Sequence, residues 1–162
     1  DTGVDTSHPD LRLVPGYDAP VAVSYGKNSM LNAIRIQNSV EYPELTRIEL
    51  RTPDMASNPY LALSSVVLAG ADGIKNKIDP KDVSGDAIND IENISKLRRG
   101  VELLPRYLDD ALDALESDHQ FLLQGDVFTQ ELINYWIKIK RDEISSIATR
   151  PHPFEFKLYF SF

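Results

Sequence analysis

Thr46-Arg47-Ile48-Glu49-Leu50-Arg51-Thr52-Pro53-Asp54 alternates charged and apolar residues with a period of two and stops at a proline. The alternation predicts a β-strand, because successive strand side chains point to opposite faces. Arg47, Glu49 and Arg51 then share one face, each ~6–7 Å from the next, and Ile48 and Leu50 are expected against a core. A carboxylate is thereby held between two guanidiniums. One reading is a solvated strand face with modest ion pairs, which is common. The other is a site for an anion: arginine offers a planar fork suited to carboxylate and phosphate oxygens, and a glutamate beside it can ligate Mg²⁺ or Mn²⁺.

Working outward, Asn58 and Pro59 form an N-cap followed by proline at the first helical position. Tyr60 to Ala71 is almost wholly apolar, which predicts a helix buried on most sides. Upstream, Arg12 to Pro20 reads as a loop broken by Pro15-Gly16 and Ala19-Pro20. Val21 to Tyr25 and Ala33 to Ile36 read as short strands joined by the polar loop Gly26-Lys27-Asn28-Ser29, a hairpin or meander feeding the charged strand. The strands before Thr52 are expected to leave an exposed edge.

Downstream the chain reads as mainly helical. Asp86 caps an amphipathic segment that stops at Gly100. Pro105 opens a helix with Leu108, Leu112 and Leu115 at helical spacing, and its Asp109, Asp110, Asp113 and Glu116 read as a solvated face rather than metal ligands. Thr129 caps a long helix with Leu132, Trp136 and Ile139 as its apolar stripe. Phe154 to Phe162 alternates aromatic or leucine with other residues, which by periodicity alone says strand. The class implied is α+β, a few antiparallel strands followed by a mainly helical region.

Composition sets bounds. A length of 162 residues fits one domain, and 42% hydrophobic with 26% charged residues is ordinary globular composition. The net charge of −8, with no basic run, argues against nucleic acid or an anionic membrane as partner. The absence of cysteine removes disulfides and thiolate metal sites and fits a reducing cytoplasm. No segment approaches the ~20 apolar residues that span a bilayer.

The opening segment, residues 1–11, stands apart. Asp1-Thr2-Gly3-Val4-Asp5-Thr6-Ser7-His8-Pro9-Asp10-Leu11 resembles the segment carrying the catalytic aspartate of subtilisin-like proteases. A triad also needs a nucleophile and a base, and the chain has neither a Gly-Thr-Ser turn nor a His-Gly-Thr segment among its three histidines. These residues are therefore taken as a leader or junction, with residues 12–162 as the domain proper.

Several blocks, in order, carry a stronger resemblance: Arg12-Leu13-Val14-Pro15-Gly16-Tyr17-Asp18-Ala19-Pro20, Thr46 to Arg51, Asn58-Pro59-Tyr60-Leu61, Gly73-Ile74-Lys75-Asn76-Lys77-Ile78, Gly125 to Thr129 and Pro151 to Tyr159. Together they resemble the C-terminal part of bacterial-type (class I) glutamine synthetases. The resemblance implies an incomplete catalytic domain of an enzyme that joins ammonia to glutamate through γ-glutamyl phosphate, using ATP and Mg²⁺ or Mn²⁺. It implies that Arg12, Asp18 and Arg51 meet glutamate, with Asp18 and Arg51 catalytic and Asp18 also at the ammonium site. Arg35 and Arg47 would serve ATP, and Glu49 would ligate metal. It further implies a homo-oligomer, a dodecamer in the family, held partly by a helical C-terminal tail.

The chain departs from the family pattern in places. Asp18 stands where the family has glutamate, so its carboxylate sits one methylene back. Met30 falls where the family has an arginine, and Lys27 is the nearest cation to replace it. A family lysine falls near Pro43. Asn89 falls where many relatives carry an adenylylated tyrosine, and residues 81–97 contain no tyrosine. Two rival readings follow from these departures: a glutamate–amine (polyamine) ligase, and a non-catalytic assembly or regulatory protein on the same scaffold.

Overall fold

A computed structural model of the chain describes residues 20–27, 32–38, 41–54, 57–80 and 102–160. The expected α+β class holds, with a three-stranded sheet followed by mostly helical chain. The described residues fall into two compact units, one ending at Arg106 and the other beginning at Tyr107.

The first unit holds strands β1 (Ala22–Lys27), β2 (Asn32–Gln37) and β3 (Arg47–Leu50), in spatial order β1-β2-β3. β2 and β3 are antiparallel, as expected, pairing Ile34 with Leu50, Arg35 with Glu49, Ile36 with Ile48 and Gln37 with Arg47. β1 and β2 are parallel, pairing Ala22 with Asn32, Gly26 with Arg35 and Lys27 with Ile36, and this corrects the hairpin or meander expected there. A short link between two strand-like runs ordinarily returns the chain antiparallel. Here β1 continues through Gly26 and Lys27, residues expected in the loop, and its other edge is taken by the segment 102–104. Val23 N donates to Glu102 O at 2.8 Å and Leu104 N donates to Val21 O at 3.0 Å. β1 is thus an inner strand whose buried residues Ala22, Ser24 and Gly26 are small, so hydropathy alternation does not mark its extent. Asn32 is fully buried, and its Oδ1 accepts from Ser24 Oγ at 2.9 Å, tying β1 to β2.

Ile48 and Leu50 do not reach a core. They are 72% and 41% exposed, because the buried side of this unit is built from Val21, Ala22, Ser24, Asn32 and Ala33 at the other end of the sheet. β3 is the edge strand among the described residues, as expected.

Helix α1 (Pro59–Lys75) starts where the sequence says it should. Asn58 Oδ1 accepts from Tyr60 N at 3.0 Å and from Leu61 N at 3.4 Å, satisfying donors that the first turn leaves unpaired. The burial expected of it is absent: no residue of α1 is buried, and Leu63 is 66% exposed. An apolar sequence makes a helix able to be covered; it does not supply the cover.

The second unit packs α2 (Leu108–Ser117) against α3 (Gln130–Ala148). Leu112, Leu122, Phe128, Ile133 and Ile137 are buried and form its core. The connection passes through 3-10 turns over Gln120–Asp126, where Gly125 (φ 69°) and Asp126 (φ 56°) take the left-handed conformation, which costs glycine nothing. Thr129 Oγ1 accepts from Leu132 N at 3.1 Å, the predicted cap. The stripe is displaced from the one expected: Ile133, Ile137 and Lys140 are buried, whereas Leu132 is exposed and Trp136 and Ile139 are half-buried. A one-residue shift of phase turns the face by about 100°, and a lysine in the stripe conceals it. Lys140 lays its stem inward, with Nζ 2.8 Å from Glu143 Oε2 and 5.1 Å from the centre of the Trp136 ring. The acidic face of α2 is exposed as expected, and Asp113 and Glu116 both accept from Arg141 Nη2, at 2.7 and 2.8 Å.

The tail is helix α4 (Pro153–Tyr159), as the family resemblance implied and against its two-residue periodicity. His152 Nδ1 accepts from Phe154 N at 3.1 Å, and Glu155 Oε2 accepts from His152 N at 3.3 Å. This reciprocal cap at a proline start decides for helix. Its Phe154, Phe156, Leu158 and Tyr159 are all exposed. No helix among the described residues is long and apolar enough to cross a membrane. The segments read from Asp1, Asp86 and Asn89 lie outside the described residues.

Candidate active site

The antiparallel register of β2 and β3 builds a charged row. Alternation puts Ala33, Arg35 and Gln37 of β2 on the same face as Arg47, Glu49 and the following Arg51. Arg51 N donates to Ala33 O at 2.9 Å, so the pairing continues one step beyond the strand. Gly26 of β1 adjoins Arg35 in the same row.

Glu49 is the hub. Its Oε2 accepts from Arg35 Nε at 2.9 Å and from Arg35 Nη2 at 2.5 Å, and its Oε1 lies 3.5 Å from Arg47 Nε. The Arg35 and Glu49 side chains are 18% and 27% exposed, against 60% for Arg47, so the cross-strand pair is the sheltered one. The sequence leads to a carboxylate between two guanidiniums. What it misses is the stronger partner, Arg35, which comes from the neighbouring strand. Only the register reveals that contact; the nearest signal is an arginine between two isoleucines in a run that reads as strand.

Three arginines and one glutamate leave this face positive, which suits a ligand bearing several anionic oxygens. Arg51 is half-buried at the end of the row. Lys27 does not join it. Its register partner is Ile36, which places Lys27 on the opposite face from Arg35 and Glu49 and corrects the expectation that it replaces the missing cation beside them. Pro43 opens a 3-10 turn, Pro43–Leu45, and brings no charge. Arg12, Asp18 and Met30 lie outside the described residues.

These residues do not make a metal site by themselves. Among the described residues no group of three or more His, Cys, Asp or Glu is placed to hold a metal ion. Glu49 offers one carboxylate, and both its oxygens face guanidiniums.

Comparison with known proteins places this sheet in a family. A family model for the glutamine synthetase catalytic domain matches residues 11–159. The glutamine synthetase of Streptomyces coelicolor is 46% identical over 155 residues, covering 92% of this chain and 32% of that protein. That of Aquifex aeolicus is 46% identical over 153 residues, covering 91% and 31%. The chain therefore spans about a third of the length of these relatives. Among solved structures, Plasmodium falciparum glutamine synthetase superposes with a TM-score of 0.74 at 30% identity, covering 91% of this chain and 36% of that one. A structure described as a GmaS/ADP complex superposes with a TM-score of 0.67 at 27% identity, covering 96% and 35%.

Proposed function

Because the chain belongs to the glutamine synthetase catalytic-domain family, we propose that it is the C-terminal part of a glutamate–ammonia ligase, in which ATP phosphorylates the γ-carboxylate of glutamate and ammonia displaces the phosphate. The observation that carries this reading is the row Arg35, Glu49, Arg47, Arg51 on one sheet face, within the residues the family model matches. Fixed guanidiniums suit the chemistry, because phosphoryl transfer is accelerated chiefly by placing positive charge around the migrating phosphoryl group. In this reading Arg35 and Arg47 attract the phosphates of ATP, and Arg51 with Arg12 orients glutamate. Asp18 draws ammonium and takes its proton. Binding of ADP by a solved relative supports the nucleotide assignment.

Mg²⁺ or Mn²⁺ would add charge neutralisation in the complete protein, with Glu49 giving one ligand and the remainder supplied from outside the described residues. The complete protein is placed in the cytoplasm and assembled as a homo-oligomer, the exposed aromatic helix α4 lying against another subunit. Residues 1–11 are a leader or junction to a catalytic part formed by 12–162. By this reading the chain alone lacks most of its nucleotide and metal site and forms no glutamine.

The test is glutamine formation by the complete protein from ATP, glutamate and ammonium, with Arg51→Ala beside it. Removing one charge-stabilising donor should lower turnover by roughly a hundredfold or more. A full rate in Arg51→Ala would overturn the assignment, as would robust synthesis by residues 1–162 alone. Asp18 in place of glutamate favours a second reading, ligation of a larger amine. A panel of amine acceptors distinguishes it: ammonium should be preferred, and preference for a polyamine would replace the first reading.

A further inference from the structure

The ion pair at the hub bears on how a metal could reach Glu49. Arg35 places two donors on a single carboxylate oxygen, Glu49 Oε2, from a directly paired position on the adjacent strand. Arg47 stands against the other oxygen. Both are partly sheltered from water, where charge-assisted hydrogen bonds outweigh exposed ones. A divalent cation arriving at Glu49 meets no uncommitted oxygen and two fixed positive charges. It can bind only by displacing Arg35.

We infer that Arg35 is a positioning residue that holds Glu49 back from the metal and releases it when an anionic phosphate draws the guanidinium away. This rests on the proposed role of Glu49 as a metal ligand and adds an order to it. The phosphate of a nucleoside triphosphate and the carboxylate of Glu49 compete for one guanidinium, so engaging the first frees the second. By linkage, metal at Glu49 must equally favour phosphate at Arg35. No bond is made or broken beyond the exchange of hydrogen-bond and ionic partners.

The readout is Mn²⁺ binding to the complete protein without nucleotide, followed by electron paramagnetic resonance of the free ion. Glu49→Gln first identifies the class of site to which Glu49 contributes, as the class that weakens. In Arg35→Gln that same class should tighten by roughly fivefold or more, the size of an ordinary coupling between sites. Arg35→Lys, which keeps the charge but loses the two-pronged grip, should fall between Arg35→Gln and the unsubstituted protein, and gives the answer if Arg35→Gln does not fold. Unchanged or weaker Mn²⁺ binding in the Arg35 variants overturns the inference while leaving Glu49 as a ligand. Unchanged Mn²⁺ binding in Glu49→Gln removes Glu49 from the metal site and takes the inference with it.

Discussion

The helical pair α2–α3 and the sheet with α1 are built from similarly apolar sequence, yet only the first closes a core of its own. Ile133 is 3% exposed on α3, whereas Ile48 is 72% exposed on β3. Leu112, Ile133 and Ile137 face each other across a helix pair joined by a connection that folds back on itself. In the sheet unit, the apolar residues of β3 and of α1 remain open to solvent while small residues of β1 and β2 are buried. Apolar pattern thus states which face must be covered, and topology decides whether these residues cover it. The exposed faces fit the proposal that the chain is part of a larger domain.

The contrast is broken or confirmed most directly by truncating one isoleucine in the closed core. Ile133→Ala removes a buried side chain and leaves a cavity, and should lower the stability of the chain by about 2–5 kcal/mol in urea denaturation. Leu63→Ala on α1, two-thirds exposed, should change it by less than about 0.5 kcal/mol. Equal losses in the two variants would mean that α1 is as well covered as α3 and would abolish the distinction.

The two side-chain caps give the next largest effect. Thr129→Ala removes the acceptor for Leu132 N at the head of α3 and should cost about 1 kcal/mol of the helical unit's stability. Asn58→Ala removes the acceptor for Tyr60 N and Leu61 N at the head of α1. With no buried residue on α1 to transmit the loss, its effect should be local fraying, read as faster amide exchange over residues 60–64, with the helical unit's transition unmoved. A shift of that transition in Asn58→Ala would show the units to be coupled.

What could be read from the sequence divides along the same line between local and non-local physics. Asn58-Pro59 and Thr129 give helix starts because a cap is chemistry among neighbours. The alternation around Glu49 gives a strand and its charged face for the same reason. The direction of the β1–β2 pairing, the contact between Arg35 and Glu49 and the isolation of Lys27 on the other face depend on register, which no local pattern contains. Gly26 and Ser24 were hidden by being small and Lys140 by being charged, although all three are buried. The tail turned on a cap, His152 with Glu155, overriding a periodicity that pointed to strand. For Arg12 and Asp18 only family resemblance speaks, and their roles stand as proposals.

The smallest expected effect sharpens the comparison furthest. Ile48→Thr keeps a β-branched residue on an edge strand and exchanges a methyl-bearing chain for a hydroxyl at a site already open to water. In the chain alone it should therefore change stability by less than about 0.5 kcal/mol. In the complete protein the outcome depends on whether that face is covered. If the rest of the domain lies over β3, the same substitution buries a hydroxyl and loses apolar contact, and should cost about 1–3 kcal/mol in the same measurement. A large loss in the chain alone would show that Ile48 already has a core. A negligible loss in both would show that the face stays exposed, and the fit between this sheet and a larger catalytic domain would have to be sought on its charged side alone.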